Sequence, residues 1–282
     1  MIKWGTEYLA RKGFDEARLN VELLLSATLG LKRFDLYVKH DQPLRKEELE
    51  RFKVLLKRRL AHEPIQYILG TTNFYSIELK VDHRALIPRP ETETLVELVI
   101  EHCRTHLSEN EEVRVLDIGT GSGCIDVVLA KFLKNACITS IDMSKDAIEL
   151  ARENAKLTNT ENQIEFTATD FLLLEENALG KKFDVVVSNP PYISKSAAEK
   201  LDPEVKEFEP SIALTDEADG LTFFKKISQM ARSLLNSGGW VFVETAFDQA
   251  KEIEEIFREG GASNVQIRKD LSNIDRVVAA RF

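Results

Sequence analysis

From residue 113 to the C-terminus, short apolar runs alternate with stretches of helical periodicity, and no other feature constrains the fold as strongly. The strand candidates are "VRVLDIG", "CITSIDM", "IEFTATD", "FDVVVSN", "GWVFVET", "VQIRK" and "RVVAARF". Strand-helix alternation demands parallel pairing, right-handed crossovers and helices on both faces of one sheet. The last two runs are separated by a short connection, so an antiparallel final strand is expected.

Upstream the period changes. Residues 1–70 read as a small helical domain: "TEYLARKGF", then "DEARLNVELLLSATLG" with Asp15 as N-cap and Gly30 as stop. A basic amphipathic helix follows at 45–60, "RKEELERFKVLLKRRL", with a solvated basic face. Residues 71–87 alternate apolar and polar positions and read as a β-hairpin connector. "PRPETETLVELVIEHC" resumes helical spacing after two prolines and opens a second domain over 88–282.

An apolar fraction of 43% with 30% charged residues suits a folded globular chain, and a net charge of −9 opposes phosphate backbones. No stable nucleic-acid binding is expected. Cys103, Cys124 and Cys137 share no metal-ligand spacing, which predicts neither zinc nor disulfides. His102 and His106 lack a third ligand nearby in sequence and are expected to be solvated, so no metal is predicted. The chain start has no apolar signal core and no run approaches the ~20 residues of a membrane span; a cytoplasmic protein is expected.

"VRVLDIGTGSGCIDVVLAKFL" reads as strand, glycine turn and helix. Gly119, Gly121 and Gly123 let the backbone turn sharply and approach a ligand. The spacing misses the dinucleotide fingerprint by one position and lacks the Lys-Ser/Thr pair of a phosphate loop. Asp142 closes the next strand, where a carboxylate can accept both ribose hydroxyls; the competing reading is a cap for the helix near Ser144. In "TATDFL", Asp170 is placed to accept from an adenine amine and Phe171 to stack on the base, or else to fill the core. Together these describe a nucleoside without phosphates, and S-adenosylmethionine fits best.

"FDVVVSNPPYIS" puts Asn189 at the carboxyl end of the fourth strand, beyond which open parallel sheets bind ligands. Prolines leave the ladder rigidly there. The Asn189 side-chain oxygen and the Pro190 carbonyl are acceptors suited to the two hydrogens of a planar NH2 group, with Tyr192 stacking or excluding water.

These residues resemble the S-adenosylmethionine-dependent methyltransferases with a Rossmann-like seven-stranded sheet. Within them the chain is similar to the release factor glutamine methyltransferase family through "EPIQYILGTTNFYSIELKVDHRALIPRPETETLVE" and "FEPSIALTDEADGLTFF". The resemblance implies an N-terminal domain that docks peptide chain release factors, and methylation of the side-chain amide (N5) of the glutamine in their Gly-Gly-Gln motif. It implies cofactor contacts at Asp117, Gly119, Thr120, Gly121, Ser122, Gly123, Asp142, Asp170, Phe171 and Asn189. Asn189, Pro190, Pro191 and Tyr192 would hold the glutamine, with Arg89 and Glu91 shaping the mouth of the site.

The chain departs from the family pattern at "VETAFDQ", "DLSNIDR" and "DEADG", where glycines are common, and these changes bear on loop geometry and partner fit. Two other readings compete: methylation of an adenine or guanine amine in DNA or RNA, and a non-catalytic scaffold.

Overall fold

The computed structural model describes residues 1–39, 41–107 and 111–282. In chain order the helices are α1 (Ile2–Arg11), α2 (Ala17–Leu29), α3 (Asp35–Val38), α4 (Lys46–Leu60), α5 (Ile65–Leu69), α6 (Thr92–His106), α7 (Cys124–Phe132), α8 (Lys145–Thr158), α9 (Lys195–Ala198), α10 (Pro203–Phe208), α11 (Thr222–Leu234) and α12 (Ala250–Glu259). The strands are β1 (Thr71–Phe74), β2 (Ile77–Lys80), β3 (Val113–Ile118), β4 (Ala136–Asp142), β5 (Ile164–Ala168), β6 (Phe183–Ser188), β7 (Leu235–Glu244), β8 (Asn264–Lys269) and β9 (Asp275–Arg281). Contacts divide the chain into two units, Met1–Thr71 with Pro203–Phe208, and Thr72–Asp202 with Glu209–Phe282.

In the helical unit, Leu9, Val21, Leu24 and Phe52 are fully buried and form the centre of one apolar cluster. Gly5 lets α1 approach α2, because an added Cβ would lie 3.0 Å from the Val21 methyls. The expected cap at Asp15 is not what begins α2: Glu16 occupies the cap position at φ 48° without a side-chain cap bond. The Asn20 amide instead donates to the Glu16 carbonyl at 3.1 Å. Gly30 ends the helix in the left-handed region, as its sequence position suggests.

The basic face of α4 is less solvated than its sequence implies. Arg59 is buried, with Nε on Asn20 Oδ1 at 2.6 Å, a guanidinium nitrogen on Glu204 of α10 at 2.7 Å, and the Phe14 ring 4.7 Å away. Arg58 is paired with Glu63 at 2.5 Å. A buried guanidinium is held by such partners because an unpaired charge there would be prohibitively desolvated. Lys46, Arg51, Lys53 and Lys57 of the same helix remain exposed.

In the second unit, β1 and β2 form a hairpin whose two turn residues, Tyr75 (φ 50°) and Ser76 (φ 63°), both have positive φ, the requirement of a two-residue hairpin turn. The seven-stranded sheet runs in the order β5-β4-β3-β6-β7-β9-β8, with β9 antiparallel to both neighbours. Alternation sorts its side chains: Val185, Val187 and Phe242 pack with α6 and α7, while Val186, Val241 and Val243 pack with α11 and α12. Both faces are covered, which is why the strands read as nearly continuous apolar runs.

The three cysteines are free. His102 is not solvated: its ring lies 5.2 Å from Trp240 and 5.3 Å from Phe242, and burial, aided by His106 and Arg281, pushes its pKa down to about 4.

Candidate active site

Strand register brings four carboxyl ends to one edge of the sheet. Ile118 pairs with Ile141 on one side and Ser188 on the other, and Ser188 pairs with Val243. Gly119, Asp142, Asn189 and Glu244 therefore stand side by side at the ends of β3, β4, β6 and β7. The Ser188 hydroxyl donates to the Ile118 carbonyl at 2.6 Å, joining β6 to the start of the glycine turn.

That turn takes φ values of 80°, 53° and 77° at Gly119, Gly121 and Gly123, a region costly for any residue with a Cβ. Gly119 N donates to the Ile141 carbonyl at 2.8 Å, and Gly121 N to Asp142 Oδ2 at 2.9 Å. The other Asp142 oxygen accepts from Ser144 N at 2.8 Å. Ser144, not Asp142, caps α8, its Oγ accepting from Ala147 N at 3.1 Å. Asp142 is thus fixed against the turn, while each of its oxygens keeps a second lone pair for a ligand. Burial pushes its carboxyl up, opposed by the two N–H bonds. Asn154, fully buried on α8, accepts from Lys80 N at 2.7 Å and donates to the Ser122 carbonyl at 2.9 Å, anchoring the turn to the hairpin.

Beneath the turn lie Asp117 and Asp126, both fully buried, with the Thr120 hydroxyl donating to Asp126. Burial and the neighbouring carboxylate push Asp117 well up, and burial raises Asp126 to about 6.

A cavity opens above this edge. Of the residues singled out from sequence, Gly119, Thr120, Gly121, Ser122, Asp142, Asp170, Phe171, Asn189, Pro191 and Arg89 line it. Asp117, Gly123, Pro190 and Tyr192 are not among the lining residues, and neither is Glu91, expected beside Arg89 at the mouth. Asp117 sits under the turn, and Gly123 is a packing glycine whose added Cβ would lie 3.0 Å from the Ala151 Cβ. Pro190 is buried, and the Tyr192 hydroxyl turns away to donate to Glu244 Oε1 at 3.2 Å. Asp170 Oδ1 accepts from Leu172 N at 2.9 Å, leaving Oδ2 for a ligand. Phe171 belongs to the apolar core and also walls the cavity.

Asn189 Nδ2 donates to Thr92 Oγ1 at 3.1 Å. No group among the described residues occupies its Oδ1. Thr92, at the head of α6, escaped the sequence reading, although it lies within "PRPETE". So did Arg84, Ala85 and Leu86, which reach the cavity because Arg84 is clamped to Asp82 at 2.8 Å and Glu153 at 2.9 Å. Arg89 pairs with Glu209 at 2.6 Å, which connects "PRPETE" to the "FEPSIAL" stretch. The cations lining the cavity, Arg84 and Arg89, are therefore both neutralised. Cys124 also lines it, but burial pushes its thiol up to about 12, which removes it as a nucleophile. No cluster of metal-ligating side chains occurs among the described residues.

Comparison with known proteins places this geometry in a family. The PrmC N-terminal domain family matches residues 1–70 and a methyltransferase domain family matches residues 109–276. A release factor glutamine methyltransferase of Geobacter sulfurreducens is 42% identical over 282 residues, covering 100% of this chain and 95% of the relative. One from Chlorobaculum tepidum is 39% identical, covering 98% and 94%. The crystal structure of a methyltransferase from Pyrococcus furiosus shares the fold at a TM-score of 0.53 and 18% identity, covering 83% of this chain and 98% of that one. With relatives of such identity matching from end to end, and with the glycine turn, Asp142 and Asn189 on one sheet edge, this chain belongs to the release factor glutamine methyltransferase family.

Proposed function

We propose that this methyltransferase acts on the side-chain amide nitrogen (N5) of the glutamine in the Gly-Gly-Gln motif of peptide chain release factors, with S-adenosylmethionine as methyl donor. The observation that carries the reading is the Asn189 amide, whose nitrogen is engaged by Thr92 and whose oxygen is left for a ligand at the cavity edge.

The cavity fits the donor. Phe171, Ile118 and Ile141 offer an apolar wall for a base, Asp142 keeps lone pairs for ribose hydroxyls, and Asp170 keeps one oxygen for an exocyclic amine. Arg84 and Arg89 are already paired with carboxylates, which suits a ligand without phosphates. When bound, S-adenosylmethionine supplies an electrophilic methyl group on a sulfonium.

The chain's own residues do the rest. An amide nitrogen is a poor nucleophile because its lone pair is delocalised into the carbonyl. Asn189 Oδ1 and the Pro190 carbonyl accept its two hydrogens and fix its plane, which removes the orientational part of the barrier. As the nitrogen gains positive character its N–H groups become stronger donors, so both acceptors stabilise the transition state more than the ground state. No base is required before attack, because the nitrogen becomes acidic only once alkylated. Pro191 stiffens the strand exit, and Tyr192 closes the site from behind.

Residues 1–70 are assigned to docking the release factor, 71–87 to the connector and 88–282 to catalysis. No helix among the described residues is long and apolar enough to cross a membrane, and a cytoplasmic protein acting beside the ribosome is the corresponding location. Incubation with methyl-labelled donor and a release factor, followed by mass spectrometry, should place one methyl on the loop glutamine and none on a factor in which that glutamine is replaced. Label in rRNA or DNA with none in protein would overturn the reading. Asn189→Ala should lower kcat by roughly 100- to 1,000-fold with cofactor affinity nearly intact.

A further inference from the structure

Two loops beside Asn189 present large apolar side chains to solvent. Phe247, in the loop after β7, is 70% exposed; in the β8–β9 hairpin Ile274 is 39% exposed and Leu271 completely so. Glu244 of β7 pairs with Val277 of antiparallel β9, so the hairpin leaves the sheet at the same edge as Asn189. Only β7 separates β9 from β6, which puts the base of the hairpin roughly 10 Å from the strand that ends before Asn189.

Hydrogen bonds join both loops to the Asn-Pro-Pro-Tyr segment. Gln249 N donates to the Ala246 carbonyl at 3.2 Å, closing a turn with Phe247 among its central residues, and Gln249 Nε2 donates to the Tyr192 carbonyl at 3.1 Å. Thr245 N donates to the Arg276 carbonyl at 3.0 Å, which ties that turn to the base of the hairpin. Within the hairpin, Asp270 Oδ1 accepts from Ser272 N at 2.9 Å and Ile274 N at 3.0 Å. Charges at its base pair internally, Arg276 with Asp270 at 3.3 Å and Lys269 with Asp275 at 3.5 Å. Polar atoms fix these loops, and hydrocarbon faces outward.

We propose that Phe247, Leu271 and Ile274 form a docking surface for the body of the release factor beside its Gly-Gly-Gln loop. This rests on a release factor being the substrate. Single apolar side chains on a surface are ordinary, but three on two hydrogen-bonded loops adjoining the substrate-holding segment make a patch. Its occupant follows from strand order. Asp142, the ribose acceptor, lies on one side of Asn189 and both loops lie on the other. A protein that delivers a glutamine to Asn189 from the side left free by the donor crosses them. A nucleic acid would call for unpaired cations there, whereas Arg276 and Lys269 are both paired. The loops also coincide with two departures from the family pattern, "VETAFDQ" and "DLSNIDR". Glycine would offer no such side chains, so the patch is a feature of this chain and adjusts its fit to its partner.

The test compares KM and kcat for release factor methylation by wild type, Phe247→Ser, Leu271→Ser and Ile274→Ser, with Leu157→Ser as control. Leu157 is 58% exposed in the last turn of α8, at the opposite edge of the sheet. Phe247→Ser and Leu271→Ser should each raise KM roughly 10-fold, with kcat at saturation and affinity for S-adenosylhomocysteine within about twofold of wild type, because only binding common to ground and transition states is lost. Ile274→Ser should raise KM less, since less of its side chain is available to a partner, and Leu157→Ser should match wild type. An unchanged KM in Phe247→Ser and Leu271→Ser would overturn the proposal, as would an equal rise in Leu157→Ser. Should one of the first two not fold, the other decides by itself. A wild-type dimer in sedimentation equilibrium that Leu271→Ser dissolves, with KM unchanged, would assign the patch to a second copy of this chain and also overturn it. Absence of label on the release factor with wild-type enzyme would instead remove the reading beneath it.

Discussion

The backbone N–H of Gly121 donates to Asp142 Oδ2 at 2.9 Å, so the glycine turn after β3 and the carboxylate ending β4 form one structural unit. Asp142→Ala should therefore loosen the turn as well as remove a ribose acceptor. Hydrogen bonds to charged groups contribute about 1.5–3 kcal/mol each, which corresponds to a loss of cofactor affinity of roughly 10- to 150-fold. Titration calorimetry with S-adenosylhomocysteine would measure it, and an affinity within threefold of wild type would exclude Asp142 as a ligand.

Glu244, buried at the end of β7, carries a stability signature of its own. Its pKa is raised by burial from the ordinary 4.5 to about 7, so its contribution is fully present below 4.5 and is lost as pH rises through 7. Between pH 6 and 8 the loss is on the order of 1 kcal/mol. Glu244→Gln cannot ionise, and its unfolding free energy should gain that amount on wild type across the same interval. Parallel pH profiles of stability in urea melts would contradict the assignment.

Glu217 adopts φ 59° in the "DEADG" turn, where glycine is common in the family. A left-handed conformation costs a non-glycine residue about 1–2 kcal/mol, while its exposed pair with Lys195 at 3.2 Å offsets little of that. Glu217→Gly is expected to stabilise by roughly 0.5–1 kcal/mol after the entropy lost by a freer unfolded chain. Differential scanning calorimetry should show a midpoint a few degrees higher, with kcat unchanged. The turn itself survives without the glycine because Asp216 accepts from Ala218 N at 2.9 Å and Thr222 N at 3.1 Å.

Gly220 supports the Asn-Pro-Pro-Tyr segment from behind. A Cβ there would lie 2.3 Å from the Tyr192 carbonyl oxygen, at φ 84°. Gly220→Ala must displace that carbonyl and the Gln249 amide that donates to it at 3.1 Å. An expected loss of at least about 2 kcal/mol in stability should accompany a fall in kcat larger than any change in cofactor affinity. A variant with wild-type stability would show that this loop yields freely.

The strands, the glycine turn and the placement of Asp142 and Asn189 at strand ends were legible because each depends on local pattern. Val185, Val186 and Val187 form one apolar run, and a run buried on both faces needs no partner to be recognised. Arg59, His102 and Glu244 were not legible. A basic residue on a helix, a histidine near a helix end and an acid ending a strand look solvated until their neighbours are known, and those neighbours are distant: Asn20 lies 39 residues from Arg59, and Tyr192 lies 52 from Glu244.

What the sequence determined alone was therefore the alternation of elements and the placement of the glycine turn, Asp142 and Asn189 at strand ends, since periodicity, glycine spacing and proline placement act within a few residues. Tertiary structure decided which way the Asn189 amide faces. Thr92 lies 97 residues upstream of Asn189, and only the packing of α6 against the sheet brings the hydroxyl to the amide nitrogen. The direction in which an amide faces depends on such distant partners, and no local pattern records it.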